Sequence, residues 1–351
     1  MKILKFLASA RGLLMGAALL LLLPYGLGAL SSNASAAADA VQPIRLTTTP
    51  LPLNRDDPGQ TRIGALAFLG AVQVRSTAEG FGGISGLQTD GRGQFLAVTD
   101  TGNWLAFRSI ERGGRLVGLE GAVTAPLLDT EGMAAIEKAD ADAESLAWDP
   151  ATGAVTIGFE QDHRLMHYAG IDPRRPETLA RSATRTERWA GMVDWPRNGG
   201  AESLAVLPGG ARLVIAEDPS HDGGHLALLD SSGEIGGGEI RRLGIPGLPE
   251  HRPTDAVALD ATRVLVLHRR FNLRGQGAGL TLIDLAPALA GGTHVPSTEL
   301  ARWEAPVTLD NMEGLAIARS GDRVFLYIVS DDNLNSLQAT IVMKFELLLP
   351  Q

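Results

Sequence analysis

The 351 residues contain no cysteine, which excludes disulfides, zinc–thiolate centres and cysteine nucleophiles. Positive charge is in deficit. Lys and Arg number 31 against 40 Asp and Glu, a formal net charge of −9, so a nucleic-acid partner is not expected. The strings Gly-x-Ser-x-Gly, RHGxRxP, a Walker loop and GxGxxG are all absent. The nearest serine string, Gly83-Ile84-Ser85-Gly86, opens a strand-like run rather than a strand-to-helix elbow. Sustained helical periodicity is scarce; the stretch from Glu131 to Asp142 is the best exception.

Long apolar runs are confined to the start of the chain. Lys2, Lys5 and Arg11 precede the run Leu13 to Leu23, Pro24 ends it, and Ala34-Ser35-Ala36 follows. A basic start, a short apolar stretch and an A-x-A site describe a secretory signal peptide. The run is shorter than the ~20 residues that cross a bilayer, so cleavage near Ala36 to Ala38 is expected, with no stable membrane insertion afterwards. The expected plan is a signal peptide over 1–38, an extended Thr-, Pro- and Ala-rich linker over 39–60, and one domain over 61–351, periplasmic or secreted and monomeric.

What is present is a repeat. Five segments share a plan: FGGISGLQTDGRGQFLAVTD from 81, DAESLAWDPATGAVTIGFEQD from 142, GGAESLAVLPGGARLVIAED from 199, RPTDAVALDATRVLVLHRR from 252 and DNMEGLAIARSGDRVFLYIVSDD from 310. Each has a short apolar strand, a tight turn and a second apolar strand. A column of Ser85, Glu144, Glu202, Asp255 and Glu313 recurs every 53 to 59 residues. Each repeat has room for two more strands, which makes it the four-stranded blade of an all-β propeller. The last repeat lacks one strand, and Ile63 to Val74 can supply it, closing the ring and removing two open sheet edges. Five blades are favoured. TEGMA at 130–134 echoes MEGLA at 312–316, so a sixth, degenerate unit between 110 and 142 is the alternative.

In a propeller the first strand of each blade lines the channel, so the column becomes a ring. The second strand returns to the same face. Its ends carry Asp100, Glu160 with Asp162, Glu217 with Asp218, His268 with Arg269, and Asp331 with Asp332. Converging carboxylates repel one another and need a cation, an arginine or raised pKa values. Oxygen-only ligands favour a hard cation, with Ca²⁺ first. The expected metal set is Glu144, Glu202, Asp255, Glu313 and Asp331. Glu160, Glu217 and His268 are the expected catalytic groups at the rim, with Arg164 and Arg269 as anion binders. The competing reading gives the inner-strand acids a fold-defining role, accepting hydrogen bonds from backbone amides of the next blade. His163/His167 and His221/His225 stand four apart, but on strands that spacing does not suit zinc.

The strings ESLAWDPATGAVTIGFEQDHRLMHY, GGAESLAVLPGG, NMEGLA and LVLHRRF resemble the bacterial phytase-like domain, named for esterase-like activity of phytase. The likeness covers roughly residues 62 to 348. Its most specific part is ESLA followed by F-E-x-x-H-R-x-x-x-Y, here Glu144, Glu160, His163, Arg164 and Tyr168. The resemblance implies metal-assisted hydrolysis of a phosphoester. Two departures stand against it: His268 at the position read as equivalent to Glu160, and a channel poor in lysine beside calcium-rich propeller phytases. The expected activity is an exported hydrolase taking a small anionic or ester substrate. A non-catalytic propeller that binds a ligand or envelope protein, and a metal-dependent lactonase, are the alternatives.

Overall fold

The turns explain the repeat. Asp90, Asp149 and Asp260 each close the first hairpin of their blade by accepting backbone N–H groups. Asp90 Oδ1 takes Arg92 N (2.8 Å) and Gln94 N (3.0 Å), Asp149 Oδ1 takes Ala151 N (2.9 Å), and Asp260 Oδ1 takes Thr262 N (3.1 Å) and Arg263 N (2.8 Å). An Asp side chain that mimics a backbone turn fixes where one strand ends and the next begins.

The computed structural model describes residues 40–349, and the expected signal peptide lies outside them. Ala37–Gln351 is one unit built of five antiparallel sheets. Blade 1 runs from an inner strand Ile84–Thr89 through Gln94–Thr99 and Asn103–Arg112 to Arg115–Pro126. Blade 2 comprises Ala143–Asp149, Ala154–Phe159, Arg164–Tyr168 and Arg185–Glu187. Blade 3 comprises Ala201–Val206, Arg212–His221, Gly224–Asp230 and Ile240–Ile245. Blade 4 comprises Arg252–Ala258, Arg263–Asn272, Gly275–Asp284 and Ser297–Glu304. Blade 5 starts with Asn311–Ser320, Arg323–Asp331 and Thr340–Leu347 and takes its fourth strand, Leu66–Arg75, from the other end of the chain. Thr340 pairs with Val74 and Leu347 with Leu66, as the missing strand required. There are five blades; the 110–142 stretch supplies the outer strand of blade 1 and a connection.

The segment expected to be a linker is extended but paired. Thr47–Leu51 adds a fifth strand to blade 5 against Leu66–Arg75, and Gln42–Pro43 adds one to the outside of blade 1. Both carry a proline, which an outermost strand tolerates because one row of its hydrogen-bonding groups faces solvent.

Five apolar clusters fill the five gaps between neighbouring blades, for example Phe95, Phe107 and Tyr327 between blades 5 and 1. All five tryptophans are buried. The inner strands come so close that side chains facing the next strand must be small. A Cβ on Gly86 would lie 3.0 Å from Leu146 N, and one on Gly314 2.9 Å from Leu87 Cβ. Among the described residues no helix is long and apolar enough to cross a membrane.

Candidate functional site

Every inner strand carries a β-bulge near its start. In blade 1 the pairing jumps from Ile84–Thr99 to Gly86–Val98, leaving Ser85 unpaired. The same irregularity isolates Glu144, Glu202 and Glu313. Bulges re-aim a side chain and often sit beside sites, and here they create one ring. In blade 4 the jump runs from Pro253–His268 to Asp255–Leu267, so the isolated residue is Thr254. The ring is therefore Ser85, Glu144, Glu202, Thr254 and Glu313, and Asp255 stands one position past it.

The same register fixes a second ring. Thr99, Phe159, Ala216, His268 and Ser330 lie opposite the residue before each bulge. The residues that follow them are Asp100, Glu160, Glu217, Arg269 and Asp331. Arg269, not His268, is thus the equivalent of Glu160. A third ring lies two residues before the bulges. Gly83, Asp142 and Gly200 accept the backbone N–H of Asp100 (2.8 Å), Glu160 (2.8 Å) and Glu217 (3.2 Å), while Arg252 pairs with Arg269 and Asn311 with Asp331.

These three rings are unevenly charged. Blade 2 has a carboxylate at all three positions, Asp142, Glu144 and Glu160, with ligand oxygens within 4.8 Å of one another. Blade 4 has none: it presents Arg252, Thr254 and Arg269. Asp100, Glu202, Glu217, Glu313 and Asp331 complete a set of eight carboxyls. Among the described residues only Lys138, Arg252 and Arg269 pair with them as cations.

Lys138 bridges blades 1 and 2, reaching Asp100 Oδ2 at 2.9 Å and also Asp142. Burial opposes its charge, but hydrogen bonds to Asp142 and Asp100 outweigh that and raise its pKa. Gln161 Nε2 donates to Asp142 Oδ2 at 2.6 Å. Glu160 Oε1 accepts Gly200 N at 3.0 Å and also Gly199 N. Across the channel, Arg269 lies 2.8 Å from Glu217 Oε1 and 3.1 Å from Glu313 Oε1, and donates to Asn311 Oδ1 at 3.2 Å. Arg252 binds the other oxygen of Glu217 at 3.1 Å and Asp218 at 2.9 Å. Among the described residues Glu144 accepts no hydrogen bond, and the side-chain hydrogen bond of Glu202 is to another carboxyl, that of Glu160.

Repulsion follows. Burial pushes the Glu144 and Glu202 carboxyls well above the ordinary range, and neighbouring carboxylates push them further, Asp142 on Glu144 and Glu144 on Glu202. Burial raises Glu160 too, partly offset by the Gly200 amide. Burial raises Glu313 to about 8 against the pull of Arg269. It raises Asp331 to about 7 against a hydrogen bond from Asn333 N–H.

Of the residues expected at the rim, Glu144, Glu160, Glu202, Glu217, Arg269, Glu313 and Asp331 are there. Asp255 is not. It is fully buried, and its carboxyl accepts Leu315 N of the next inner strand at 2.6 Å and Ala256 N at 2.7 Å, the fold-defining role set out for such acids. His268 is buried inside blade 4 against Thr281 Oγ1 at 2.9 Å. Arg164 lies on a third strand, its guanidinium 4.0 Å from the Phe159 ring centroid and bound to Asp162 and the Asp140 carbonyl. It lines a separate cavity of about 520 Å³. Asp142, Arg252, Asn311 and Lys138 escaped the sequence reading. The two-residue alternation of a strand pointed to the third ring, but glycines in two of its five places hid the pattern.

A family model described as phytase-like, esterase-like activity of phytase, matches residues 79–334, well over half of the chain. No curated protein matches significantly. Similar solved structures include the PQQ-bound aldose sugar dehydrogenase of Streptomyces coelicolor, 13% identical with a TM-score of 0.38, the match covering 87% of this chain and 99% of that one. Another is an α-L-arabinofuranosidase from Lactobacillus brevis, 12% identical with a TM-score of 0.45 over 72% of this chain and 86% of that one. A third is the endosialidase of phage phi92, 10% identical with a TM-score of 0.40 over 90% and 59% respectively. At these scores and identities the structural likenesses carry no argument about function.

Proposed function

This chain belongs to the phytase-like family named for esterase-like activity of phytase, and from that premise we propose that it is an exported, metal-assisted hydrolase of phosphoesters or carboxylic esters. One observation carries the reading. Eight carboxyls share one rim, and two of them, Glu144 and Glu202, have no amide or cationic donor among the described residues, while two arginines face them from blade 4.

The residues fit a hard divalent cation. The donors are all oxygens, and three of them already lie within 4.8 Å of one another, which suits Ca²⁺. Glu144 and Glu202 would hold it, with Glu160 beside them and Asp142 placed between the site and Lys138. Such an ion supplies a Lewis acid for an ester or phosphoryl oxygen. Glu160 keeps one oxygen in the amide pair of Gly199 and Gly200, and its carboxyl, hydrogen-bonded to Glu202, is the group placed to take a proton from water once a cation draws Glu202 away. Arg252, half exposed at the mouth, is the group placed to bind an incoming anion. Arg269 holds Glu217 and Glu313 in place. Glu217, gripped by two arginines, serves to orient them. Arg164, held by Asp162 and the Asp140 carbonyl at a separate cavity of the same face, and His268, buried inside blade 4, take no part.

The rival reading, a non-catalytic propeller whose acids support the fold, has Asp255 on its side. The two separate in one set of measurements: metal content, melting temperature with and without EDTA, and hydrolysis of an aryl phosphodiester, an aryl phosphomonoester and an aryl ester. Bound calcium and turnover that both fall in a folded Glu202→Gln variant are expected. No bound metal and no turnover on any substrate would overturn the proposal. A melting point lowered by EDTA in a protein without turnover would assign the cation to the fold alone.

A further inference from the structure

Strand direction sorts the loops of this propeller by face. Inner strands begin at the charged rim and second strands end there, so connections from second to third strand, and from one blade to the next, all emerge around the mouth. The described residues leave ten large apolar side chains exposed. Seven of them stand on these rim-face connections. Met133 and Ile136 lie between blades 1 and 2, and Val193 between blades 2 and 3. Phe271 and Leu273 are on the hairpin of blade 4, and Leu334 and Leu337 on the 332–339 loop of blade 5. All seven are at least 61% exposed. The opposite face keeps only Val206, Ile235 and Leu348.

Beside the blade 5 loop lies a cavity of about 810 Å³ that includes Leu334, Leu337 and Asp332. Three arginines line it, Arg45, Arg55 and Arg75, and none has a carboxylate partner among the described residues. Arg274, next to Leu273, is exposed and pairs with Glu250 at 3.0 Å. The ring acids Glu160, Glu202, Glu217, Glu313 and Asp331 are all buried, while the exposed acids of this face, among them Glu131, Glu137, Asp194 and Glu250, stand on other connections than the blade 5 loop.

We propose that the rim face seats on an anionic lipid surface. A peptide or a second folded domain would call for one continuous apolar groove. Here apolar tips stand on separate loops around a mouth, which suits a planar, fluid surface into which each tip inserts on its own. Arginines without a carboxylate partner suit lipid phosphates. The inference does not depend on hydrolysis, because binding is read without turnover.

The test uses processed protein, its N-terminus read by mass spectrometry, sedimented with vesicles of phosphatidylcholine alone or mixed with phosphatidylglycerol. Binding is expected to be tighter to the mixed vesicles. The double variant Leu273→Asp, Leu337→Asp should bind roughly tenfold or more weakly, since it removes two inserted apolar side chains. The double variant Arg45→Glu, Arg75→Glu should lose the preference for phosphatidylglycerol. All variants should melt and turn over a soluble aryl phosphate as the parent does. An enzyme inactive on every soluble ester yet bound to vesicles leaves this proposal standing and removes only the catalytic one. No sedimentation with either vesicle overturns it, as does binding indifferent to Leu273→Asp, Leu337→Asp. A lipid-free dimer dispersed by that pair would overturn it in favour of self-association.

Discussion

At the scale of single residues, Asp255 and Thr254 show how a repeat misleads. The carboxylate is conspicuous in RPTDAVAL and falls one position from where acids sit in the other repeats. Only the strand register reveals that the bulge, and hence the ring position, belongs to the threonine beside it. The displaced acid does different work, tying blade 4 to blade 5 through Leu315 N–H. Asp255→Ala strands that buried amide, and the loss should be about 1–3 kcal/mol in urea unfolding, with bound calcium unchanged. His268 was displaced by the same one-residue slip. Burial holds its imidazole down, at about 3, far below the usual range near 6.5, with the nearby His225 and His251 adding to the effect. A histidine kept neutral in the fold gives its full contribution above the unfolded value. That contribution drains away as pH falls through the window from about 6.5 to 3, at up to roughly 1.4 kcal/mol per pH unit. The acid limb of a plot of stability against pH should therefore be shallower for His268→Gln than for the parent. An unchanged limb would remove His268 as its source.

At the scale of elements, the strands and turns were legible because their signals are local: apolar runs closed by DGRG, DPATG and DATR. The outermost strands Gln42–Pro43 and Thr47–Leu51 were not, since Thr- and Pro-rich segments signal no strand until a partner edge is present. Pairing between blades also leaves little trace in sequence. Arg212, at the start of a second strand, reaches into the blade 2–blade 3 gap to bind Glu187 Oε2 at 2.6 Å and Asp230. Glu187 also faces His167 Nε2 at 3.0 Å and accepts Gly236 N at 3.0 Å. Burial alone would raise the Glu187 carboxyl, but His167 and Arg212 outweigh it and hold it low. Removing one member of a buried ion network leaves the others uncompensated, so Arg212→Met should lose about 3–5 kcal/mol in equilibrium unfolding. The rim, at the opposite end of the strands, should be unaffected, so calcium content should match that of the parent. A loss below 1 kcal/mol would mean that water reaches this gap.

At the scale of the whole molecule, the charged rim sets how stability responds to ions and pH. Carboxyls such as Glu313, at about 8, and Asp331, at about 7, lie above the ordinary carboxylate range. Raised values favour the folded state while the groups are protonated. That advantage is full below the unfolded values near 4 and is lost as pH rises through 7 to 8. Metal-free protein should therefore melt at a lower temperature at pH 8 than at pH 6. Calcium should abolish that fall by binding the ionised folded form. Replacing Glu144 and Glu202 together with glutamine should raise the metal-free melting point at pH 8 and erase the response to calcium. A melting point that ignores both calcium and these substitutions would contradict the repulsion. The fold that carries this rim closes through Leu66–Arg75, a strand near the beginning of the chain whose partner, Thr340–Leu347, lies near its end. Contacts so distant in sequence form slowly. The strand synthesised early must wait for one synthesised late, and until then two sheet edges stand open to wrong partners. The interval of greatest exposure to aggregation thus lasts until Thr340–Leu347 arrives to cover the waiting strand.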